Sequence, residues 1–438
     1  MIARAALLLL AASLLSAASD RVGETEIAAW PQGKRAAVSL TFDDGSINQF
    51  RRAVPILNEM GFPATFFIIT GNLPGSRYHG TFIGRDPQAI VRETAAIPTR
   101  KENLFERASA IGHLGYEGAL DYHSRAGELY EDGKLDEACR TIDEGYAKAR
   151  AGALPRREPG AARDDRDRVT WDELGELARQ GHEVASHTVT HPHLAVLDEP
   201  NLAYELEKSR QEILDHLGPK HTFSVECPYG TEDERAVARA LTLYPAARNR
   251  MPEPFLEELN RGSEADPRAS GKQYVQWQRG PLTRTPMALM KSWIDLISAR
   301  DNVWLVLVFH GVDGIGWEPR TSAELREFLD YVKSKQGLLW VATFQDATKY
   351  MRERAHGRAA GERKGRTIEV VLRHDLDRGL YDLRLTLKTR VPPQWRVAEV
   401  RQGTSVRRVE IDRNGDQAWA TYPAAPNAET VTLAEAGP

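Results

Sequence analysis

Residues 36–45 of this chain read AAVSLTFDDG. The apolar run at residues 36–40 is typical of a buried strand, and Gly45 permits a sharp exit from it. Two adjacent carboxylates, Asp43 and Asp44, stand at the end of the segment. Because neighbouring carboxylates repel each other, we expect a cation or a shared proton between them. The segment predicts one acid that binds a metal ion and one that acts as a base, with a solvated turn as the alternative.

A second segment, SHTVTHPH at residues 186–193, contains two histidines four residues apart. On a helical turn His187 and His191 would lie on one face, close enough to bind one ion. Imidazole nitrogens suit zinc, cobalt and related divalent metals. Because the segment follows a strand-like run at residues 182–185, carboxylates and imidazoles both stand at strand ends, where α/β barrels build their sites.

Two further segments end in residue types that carry chemistry. Residues 227–230 read CPYG, in which proline and glycine fix a loop and leave the Tyr229 amide able to point into a cleft. Residues 303–311 read VWLVLVFHG, a nearly continuous apolar run of the kind buried on both faces of a parallel sheet. This run ends in His310.

These four segments, in this order, resemble the motifs of the polysaccharide deacetylases, carbohydrate esterase family 4. The matching residues read Thr-Phe-Asp-Asp-Gly, Ser-His-Thr-x-x-His, Pro-Tyr-Gly and Leu-x-x-His. The resemblance covers residues 31–355 and implies an α/β fold, a distorted (β/α) barrel of about seven strands, interrupted by one insertion. The alternation of strand-like and helix-like segments agrees with that fold.

The resemblance assigns a role to each matching residue. It implies that Asp44, His187 and His191 bind a divalent metal ion, with zinc as the first expectation and cobalt as the alternative. Asp43 corresponds to the general base that takes a proton from the attacking water, and His310 to the general acid that protonates the leaving amine. Two histidines and one carboxylate leave positions open at the ion, as in catalytic rather than structural sites.

The same resemblance implies a set of substrate contacts. The backbone N–H of Tyr229, which follows Pro228, would hold the oxyanion together with the metal ion. Leu307 corresponds to the apolar wall around the acetyl methyl group. Trp317 lies in the glycine-rich loop after His310, and we expect it either to contact sugar or to pack within the loop.

Two positions depart from the family pattern. The third motif of the family often begins with an arginine that positions the base, and Glu226 stands at that position here. A carboxylate there would repel Asp43, so either another cation replaces the arginine, with Arg248 and Arg250 the nearest in sequence, or the base is tuned differently. A counterpart of the family's Asp-x-x-Asp/Asn-Trp motif is also missing, and residues 248–250 occupy roughly that region.

Composition excludes several classes of protein. At 438 residues the chain is long enough for two or three domains. A formal net charge of −4 and a pI near 6.3 give no electrostatic footprint for nucleic acid. The two cysteines, Cys139 and Cys227, lie in different predicted regions, so no disulfide framework is expected.

The amino terminus carries the pattern of a secretory signal peptide at residues 1–18. Arg4 precedes an apolar run at residues 5–15, and small residues follow it. The run is too short to span a bilayer as a stable helix, and no later segment is apolar enough to do so. We therefore expect an exported protein, periplasmic or extracellular, cleaved after Ala18, with an uncleaved anchor as the alternative.

Residues 76–167 interrupt the resemblance and have a helical pattern. This insertion is too long for an unstructured loop in a compact domain. Candidate helices occupy residues 86–97, 101–114, 116–131 and 134–149, and a charged linker follows at residues 156–168. We expect the helices either to narrow the substrate groove at the barrel mouth or to decorate the periphery.

The tail at residues 366–438 changes character. Its short, alternating segments are rich in Val, Leu and Thr, and Asn414-Gly415 is a hairpin signal. This pattern predicts a small β-sandwich of about six strands, joined to the barrel by a charged linker at residues 352–364. The module is expected either to cap the barrel or to bind carbohydrate.

Together these features predict an exported, metal-dependent hydrolase that removes acetyl groups from an N-acetylated polysaccharide or oligosaccharide. One alternative is an O-acetyl esterase on the same fold, in which His310 matters less because an alkoxide leaves more easily than an amine. The other alternative is a glycan-binding protein built on a catalytically impaired barrel.

Overall fold

The structure, a computed structural model, describes residues 21–156, 168–231, 233–248 and 250–437. The predicted signal peptide at residues 1–18 and most of the predicted linker at residues 156–168 lie outside these ranges. Within them, no helix combines the length and the apolar character needed to cross a membrane.

The described residues form two sheets and a set of α-helices around them. The strands, in chain order, are β1 (Thr25–Ile27), β2 (Ala36–Asp44), β3 (Thr65–Ile68), β4 (Glu183–Ser186), β5 (Ser224–Val225), β6 (Ala246–Ala247), β7 (Leu256–Leu259), β8 (Tyr274–Arg279), β9 (Val303–Phe309), β10 (Leu339–Val341), β11 (Arg358–Lys364), β12 (Thr367–Arg373), β13 (Leu385–Arg390), β14 (Val397–Gln402), β15 (Ser405–Asn414), β16 (Gln417–Ala424) and β17 (Val431–Glu435). The α-helices are α1 (Val54–Met60), α2 (Pro87–Glu93), α3 (Leu104–Ile111), α4 (Ala119–Glu131), α5 (Leu135–Arg150), α6 (Trp171–Arg179), α7 (Glu199–Leu217), α8 (Glu234–Leu241), α9 (Met287–Ser298), α10 (Ser322–Ser334) and α11 (Phe344–His356).

One sheet is an open barrel of parallel strands. Its strands follow the order β6-β5-β4-β3-β2-β9-β8-β7, and β10 pairs with the first residues of β2. An α-helix follows most of these strands along the chain, which confirms the predicted α/β class and distorted barrel, although the path has eight strands instead of about seven. Because the strands are parallel, their carboxyl ends meet at one mouth of the barrel.

The central strand β2 shows how this sequence forms a barrel wall. Alternate side chains point to opposite faces of a strand, so one set meets the outer helices and the other faces the barrel interior. Val38, Leu40 and Phe42 belong to the outer core with residues of α1 and α10. On the inner side, Ser39 accepts a hydrogen bond from the indole N–H of Trp304 at 2.9 Å. The strand is therefore buried on both faces, as parallel strands usually are.

Helices α2 to α5 form the predicted helical insertion, which has a hydrophobic core of its own. Ile111 of α3, Ala126 of α4 and Ile142 of α5 meet in this core. Val196, from the segment between β4 and α7, joins them and ties the insertion to the barrel. The shared core explains how a segment inserted between two barrel strands keeps a defined position.

The second sheet is antiparallel and holds most of the C-terminal residues; we call it the β domain. Its strands follow the order β1-β13-β16-β15-β14-β17-β12-β11. Strand β15 links two parts of the sheet, because its residues 405–410 pair with β14 and its residues 411–414 pair with β16. The predicted all-β, sandwich-like domain is confirmed, with eight strands instead of about six.

Two strands of the β domain lie outside the region predicted for it. β1 precedes the barrel in the chain, and its Thr25 pairs with Thr389 of β13. The prediction of a linker at residues 352–364 is wrong, since Arg352 lies within α11 and β11 begins at Arg358. β11 is an edge strand whose charged side chains face solvent, so its composition resembles that of a linker.

Helix α11 fixes the β domain at the end of the barrel opposite to the mouth. At the start of α11, the backbone N–H of Phe344 donates to the hydroxyl of Thr65, the first residue of β3, at 2.8 Å. Further along, the hydroxyl of Tyr350 accepts the backbone N–H of Thr386 in β13 at 3.2 Å. The β domain therefore covers the amino ends of the barrel strands rather than their carboxyl ends.

The packing of β11 on the amino-terminal segment gives a prediction about stability. An added Cβ at Gly361 would stand 2.2 Å from the carbonyl oxygen of Gly23 and 2.6 Å from Thr25 Oγ1. We expect Gly361→Ala to lower the free energy of unfolding by about 1–3 kcal/mol, the usual cost of overpacking. Gly337→Ala is the matched control, because an added Cβ there meets nothing within 4 Å. Urea unfolding measures both variants, and equal midpoints would contradict the prediction.

Glu353 of α11 makes a pH-dependent contribution to stability. Its side chain is buried and accepts the backbone N–H of Leu383 at 3.0 Å. Burial raises the pKa of Glu353 to about 7, whereas an unfolded glutamate titrates near ~4.3. Between these two pKa values the folded protein holds a proton that the unfolded chain has lost. The contribution of Glu353 is therefore present below the unfolded pKa and is lost as the pH rises through the folded pKa.

Glu353→Gln is expected to remove this part of the pH dependence, because glutamine keeps the acceptor for Leu383 and does not titrate. The urea midpoint of the wild type should fall relative to that of the variant as the pH rises from about 5 to about 8. Glu362→Gln, at an exposed position of β11, is the control. If the urea midpoints of wild type and Glu353→Gln change by the same amount over this pH range, Glu353 does not titrate as described.

Candidate active site

The two adjacent carboxylates lie at the carboxyl end of β2 and point in different directions. Asp43 continues the inward-facing series of the strand and is 2% exposed. Asp44 has a left-handed backbone, with φ of 73°, and its side chain turns to the mouth of the barrel. Gly45 follows in the same region of φ, at 71°, which glycine adopts at little cost. The two side chains therefore point in different directions because of the backbone conformation, which agrees with the predicted division of roles between a metal ligand and a base.

The histidine pair lies on a loop and not on the helical turn that its spacing predicts. We call residues 187–193 the histidine loop. Thr188 and His191 have φ values of 67° and 63°, so the chain folds back between the two imidazoles. Glu205 of α7 holds the loop, because its carboxylate accepts the backbone N–H groups of Val189 and Thr190, both at 2.8 Å. Glu205 has no distinct signal in the sequence, since acids are common in amphipathic helices.

Asp44, His187 and His191 come together in the structure, as the resemblance implies. Their ligand atoms lie within 4.8 Å of one another, and Asp44 Oδ1 stands 3.6 Å from His187 Nε2 and 3.5 Å from His191 Nε2. The Nδ1–H of His187 donates to the carbonyl oxygen of Glu226 at 2.9 Å, which leaves the Nε2 lone pair for a ligand bond. One carboxylate and two imidazoles in this arrangement fit a divalent cation such as zinc.

The pKa values of Asp44, His187 and His191 are also consistent with a cation site. Burial and the neighbouring Asp43 carboxylate raise the pKa of Asp44 to about 7, because both disfavour a second negative charge. Burial lowers the pKa of His187 to about 4 and that of His191 to about 3, so both imidazoles are neutral at neutral pH. A cation here would offset the cost of an ionised Asp44 and use the lone pairs of both histidines.

Asp43 is held by a buried arginine. Arg248, which follows β6, donates to Asp43 Oδ1 at 2.7 Å and to Oδ2 at 2.6 Å, a bidentate contact. The same guanidinium donates to Thr41 Oγ1 at 2.7 Å and lies 4.8 Å from the ring centre of Phe67. Burial by itself would raise the pKa of Asp43, but the guanidinium holds that pKa well below its usual range. Asp43 is therefore ionised at neutral pH.

Glu226 is the third member of this buried group. Its Oε1 lies 2.8 Å from Arg248 Nη2, so the arginine stands between two carboxylates that would otherwise repel each other. Burial raises the pKa of Glu226 to about 7, and the charge of Asp43 adds to the rise. Of the two cations considered as replacements for the family's arginine, Arg248 contacts the base, whereas Arg250 pairs with the exposed Glu234.

His310 follows β9 and lies beside Asp43. Its Nε2 is 3.5 Å from Asp43 Oδ2, and burial lowers the pKa of His310 to about 4. The buried side-chain amide of Gln49 donates to the backbone carbonyls of Asp43 and His310, in the second case at 2.8 Å. This amide ties two strand ends together, and no motif in the sequence marks it. Trp317 is 53% exposed, and its ring meets that of His310 edge-on at 4.6 Å.

Residues 227–231, which we call the Tyr229 loop, lie against the histidine loop. Pro228 is buried, and Tyr229 has φ of 63° and is 48% exposed. The ring of Tyr229 lies 4.7 Å from that of His191 and stacks on that of His193 at 3.7 Å, with 4° between the planes. The predicted substrate contacts Pro228 and Tyr229 therefore stand at the same mouth as the candidate metal ligands.

Leu307 does not face this mouth, and its assignment to the acetyl-binding wall is wrong. Alternation along β9 places Trp304 and Val308 on the inner side of the barrel, the side that His310 continues. Leu307 points the other way and packs with Phe42 in the outer core beneath the helices. Val308 is therefore the inward-facing apolar side chain of β9 that is closest in sequence to His310.

A cavity of about 450 Å³ opens beside Asp44. The guanidinium of Arg168 lies at this cavity and donates to the carbonyl oxygen of Asn72 at 2.6 Å. Most of the remaining wall is apolar, formed by Ile47, Ile68, Ile69, Leu73, Val169 and Ile315. A cavity of this size and lining suits a small ligand with both apolar and polar faces.

Arg248 is expected to contribute far more to stability than Arg250. Arg248→Met leaves the carboxylates of Asp43 and Glu226 buried without a counter-charge, so the free energy of unfolding should fall by about 3–5 kcal/mol. Arg250→Met is the matched control, since its partner Glu234 is exposed and such pairs contribute less than about 1 kcal/mol. Urea unfolding measures both variants. Similar losses for the two would show that the buried group does not stabilise the barrel in this way.

Comparison with known proteins shows what these residues are similar to. The family model described as polysaccharide deacetylase matches residues 31–108 and 141–246, and the unmatched residues 109–140 lie inside the helical insertion. A gellan lyase from Bacillus sp is 26% identical over 281 residues, a match that covers 59% of this chain and only 11% of the length of that protein.

Two bacterial proteins are among the solved structures that match this chain. A protein from Mycobacterium smegmatis assigned to the polysaccharide deacetylases is 15% identical, with 75% of this chain and 94% of that chain covered and a TM-score of 0.41. The peptidoglycan deacetylase PdaC from Bacillus subtilis is 12% identical, with 74% and 94% covered and a TM-score of 0.33. The family model spans the residues of the first three motifs, from Asp43 to Tyr229, and over the matched ranges this chain is similar to the polysaccharide deacetylases.

Proposed function

We propose that this protein is an exported, metal-dependent hydrolase that removes acetyl groups from N-acetylated sugars of a polysaccharide or oligosaccharide. One observation carries the proposal: the cluster of Asp44, His187 and His191 lies at the same mouth as the ionised Asp43 and the adjacent His310. Hydrolysis of an acetamide needs an activated water, a stabilised oxyanion and a protonated leaving nitrogen. The residues at this mouth offer a group for each of these needs.

Asp43 is suited to take a proton from water. Its bidentate contact with Arg248 keeps the carboxylate ionised and fixes its orientation. A divalent cation held by Asp44, His187 and His191 would supply Lewis-acid chemistry, which polarises a carbonyl oxygen and makes water easier to deprotonate. The base and the candidate metal ligands are adjacent because Asp43 and Asp44 are neighbours in the chain with side chains turned apart.

The proton taken by Asp43 has a short route to the leaving nitrogen. Asp43 Oδ2 and His310 Nε2 are 3.5 Å apart, and burial lowers the pKa of the His310 imidazolium. An acid of low pKa gives its proton readily to an amine, so His310 is placed to protonate the nitrogen as the C–N bond breaks. The products are acetate and the free amino sugar, and one water is consumed.

Several features support a carbohydrate substrate and export. The cavity beside Asp44 combines an apolar wall with a polar edge, and the half-exposed ring of Trp317 offers a flat apolar surface next to His310. Such surfaces suit sugar rings, which present apolar faces and hydroxyl edges. The pattern at residues 1–18 supports secretion. The position of the β domain away from the mouth favours its role as a cap of the barrel.

Acetate release from a panel of N- and O-acetylated glycans tests this proposal. Wild type and Asp43→Asn are stripped of metal with a chelator and reloaded with zinc or cobalt. We expect metal-dependent release from an N-acetylated glycan by the wild type, and a loss of at least about 100-fold in Asp43→Asn, because an amide does not accept the proton. Asp416→Asn, at the exposed turn between β15 and β16, is the control.

The variant His310→Ala separates the two acetyl linkages within the same experiment. We expect its loss to be larger on N-acetylated than on O-acetylated glycans, because an alkoxide leaves more easily than an amine. Release from O-acetylated glycans alone would identify an esterase. No release from any glycan by the metal-loaded wild type would contradict the proposal and favour a glycan-binding protein.

A further inference from the structure

Helix α4 of the insertion lies against the histidine loop and contacts both the backbone and the side chain of His193. The Nε2 of His123 accepts the backbone N–H of His193 at 3.0 Å, while its Nδ1–H donates to the carbonyl oxygen of Ala108 at 2.9 Å. The Nδ1–H of His193 points to Glu131 Oε2 at 3.3 Å. Backbone and side chain of His193 are therefore both held by residues of the insertion.

Helix α4 contacts His193 at Gly127, where only a residue without a Cβ fits. An added Cβ at Gly127 would stand 2.4 Å from both Cβ and Cγ of His193. The imidazole is 1% exposed, so it is enclosed between α4 on one side and the Tyr229 loop on the other. Any displacement of α4 toward the barrel would therefore be transmitted to the His193 ring.

The opposite face of the His193 ring supports Tyr229. The two rings are 3.7 Å apart and nearly parallel, with 4° between their planes. Tyr229 has a left-handed φ of 63°, a conformation that costs free energy for a residue with a side chain and persists only where its surroundings hold it. The stacked imidazole is one of the contacts that hold it, and the ring of His191 at 4.7 Å is another.

We propose that His193 is a positioning residue, through which helix α4 of the insertion fixes the Tyr229 loop and the direction of the Tyr229 backbone N–H. The insertion is then part of the support of the reactive mouth and not a peripheral decoration. The inference rests on the proposed function for the task of that N–H, which is to stabilise an oxyanion. The contact chain from α4 through His193 to Tyr229 stands independently of it.

Four variants of the full-length, zinc-loaded protein test the proposal. His193→Ala removes the stacked ring, and His193→Phe restores a flat ring without its hydrogen bonds. Gly127→Ala pushes α4 against His193. Gly145→Ala is the matched control, because the atoms nearest to an added Cβ there are Ile111 Cδ1 and Tyr122 Cγ of the insertion, both at 2.6 Å, and not atoms of His193.

The first readout is hydrogen–deuterium exchange of the backbone amides in the Tyr229 loop, which does not depend on activity. We expect exchange to be about tenfold faster in His193→Ala and Gly127→Ala, and close to wild type in His193→Phe and Gly145→Ala. The second readout is the kinetics of acetate release. In His193→Ala and Gly127→Ala, kcat should fall at least about tenfold with KM within about threefold, since a misplaced oxyanion donor affects mainly the transition state.

The outcomes separate this inference from the proposed function. Unchanged exchange in His193→Ala, or equal acceleration in Gly127→Ala and Gly145→Ala, would overturn the positioning role. Faster exchange without any loss of kcat would overturn the link to the reaction. If the wild type releases no acetate, the proposed function fails, and the exchange data still decide whether α4 positions the Tyr229 loop.

Discussion

Buried ion pairs of Arg248 with Asp43 and with Glu226 join the ends of β2, β6 and β5 inside the barrel. Two carboxylates around one guanidinium are costly to bury, and only close, bidentate geometry offsets that cost. Burial and the charge of Asp43 raise the pKa of Glu226, because a proton on Glu226 removes the excess negative charge of the group. The carbonyl oxygen of Glu226 also orients His187, so the base and the metal ligands share one support.

The mouth of the barrel concentrates backbone conformations that are unfavourable elsewhere. Asp44, Thr188, His191 and Tyr229 all have positive φ, although none is glycine. Each such residue costs on the order of 1 kcal/mol and persists where its neighbours determine it. Here those neighbours include Glu205, which holds the histidine loop from α7. The sequence of the mouth thus places side chains at angles that a regular strand or helix does not offer.

The sequence predicted what is local and periodic, and missed what depends on contacts between distant segments. The apolar run of β9 and the acids after β2 have strong local patterns, so the barrel and its cluster of Asp44 with two histidines could be anticipated. The helical turn expected for His187 and His191 was wrong, because two left-handed residues replace it. Leu307 was misplaced because the resemblance assigned it by motif alone, whereas alternation along β9 places it on the face opposite to His310, in the outer core.

The pairing of β1 with β13 has a consequence for how the chain reaches its fold. Thr25 and Thr389 meet at 2.9 Å although 364 residues separate them. Contacts between such distant residues require a large loop to close, and they slow folding because the entropy of closure precedes the gain in contacts. A chain that emerges amino end first makes residues 25–27 long before their partner exists. The amino-terminal segment therefore pairs with β13 only after the chain has been synthesised beyond residue 389.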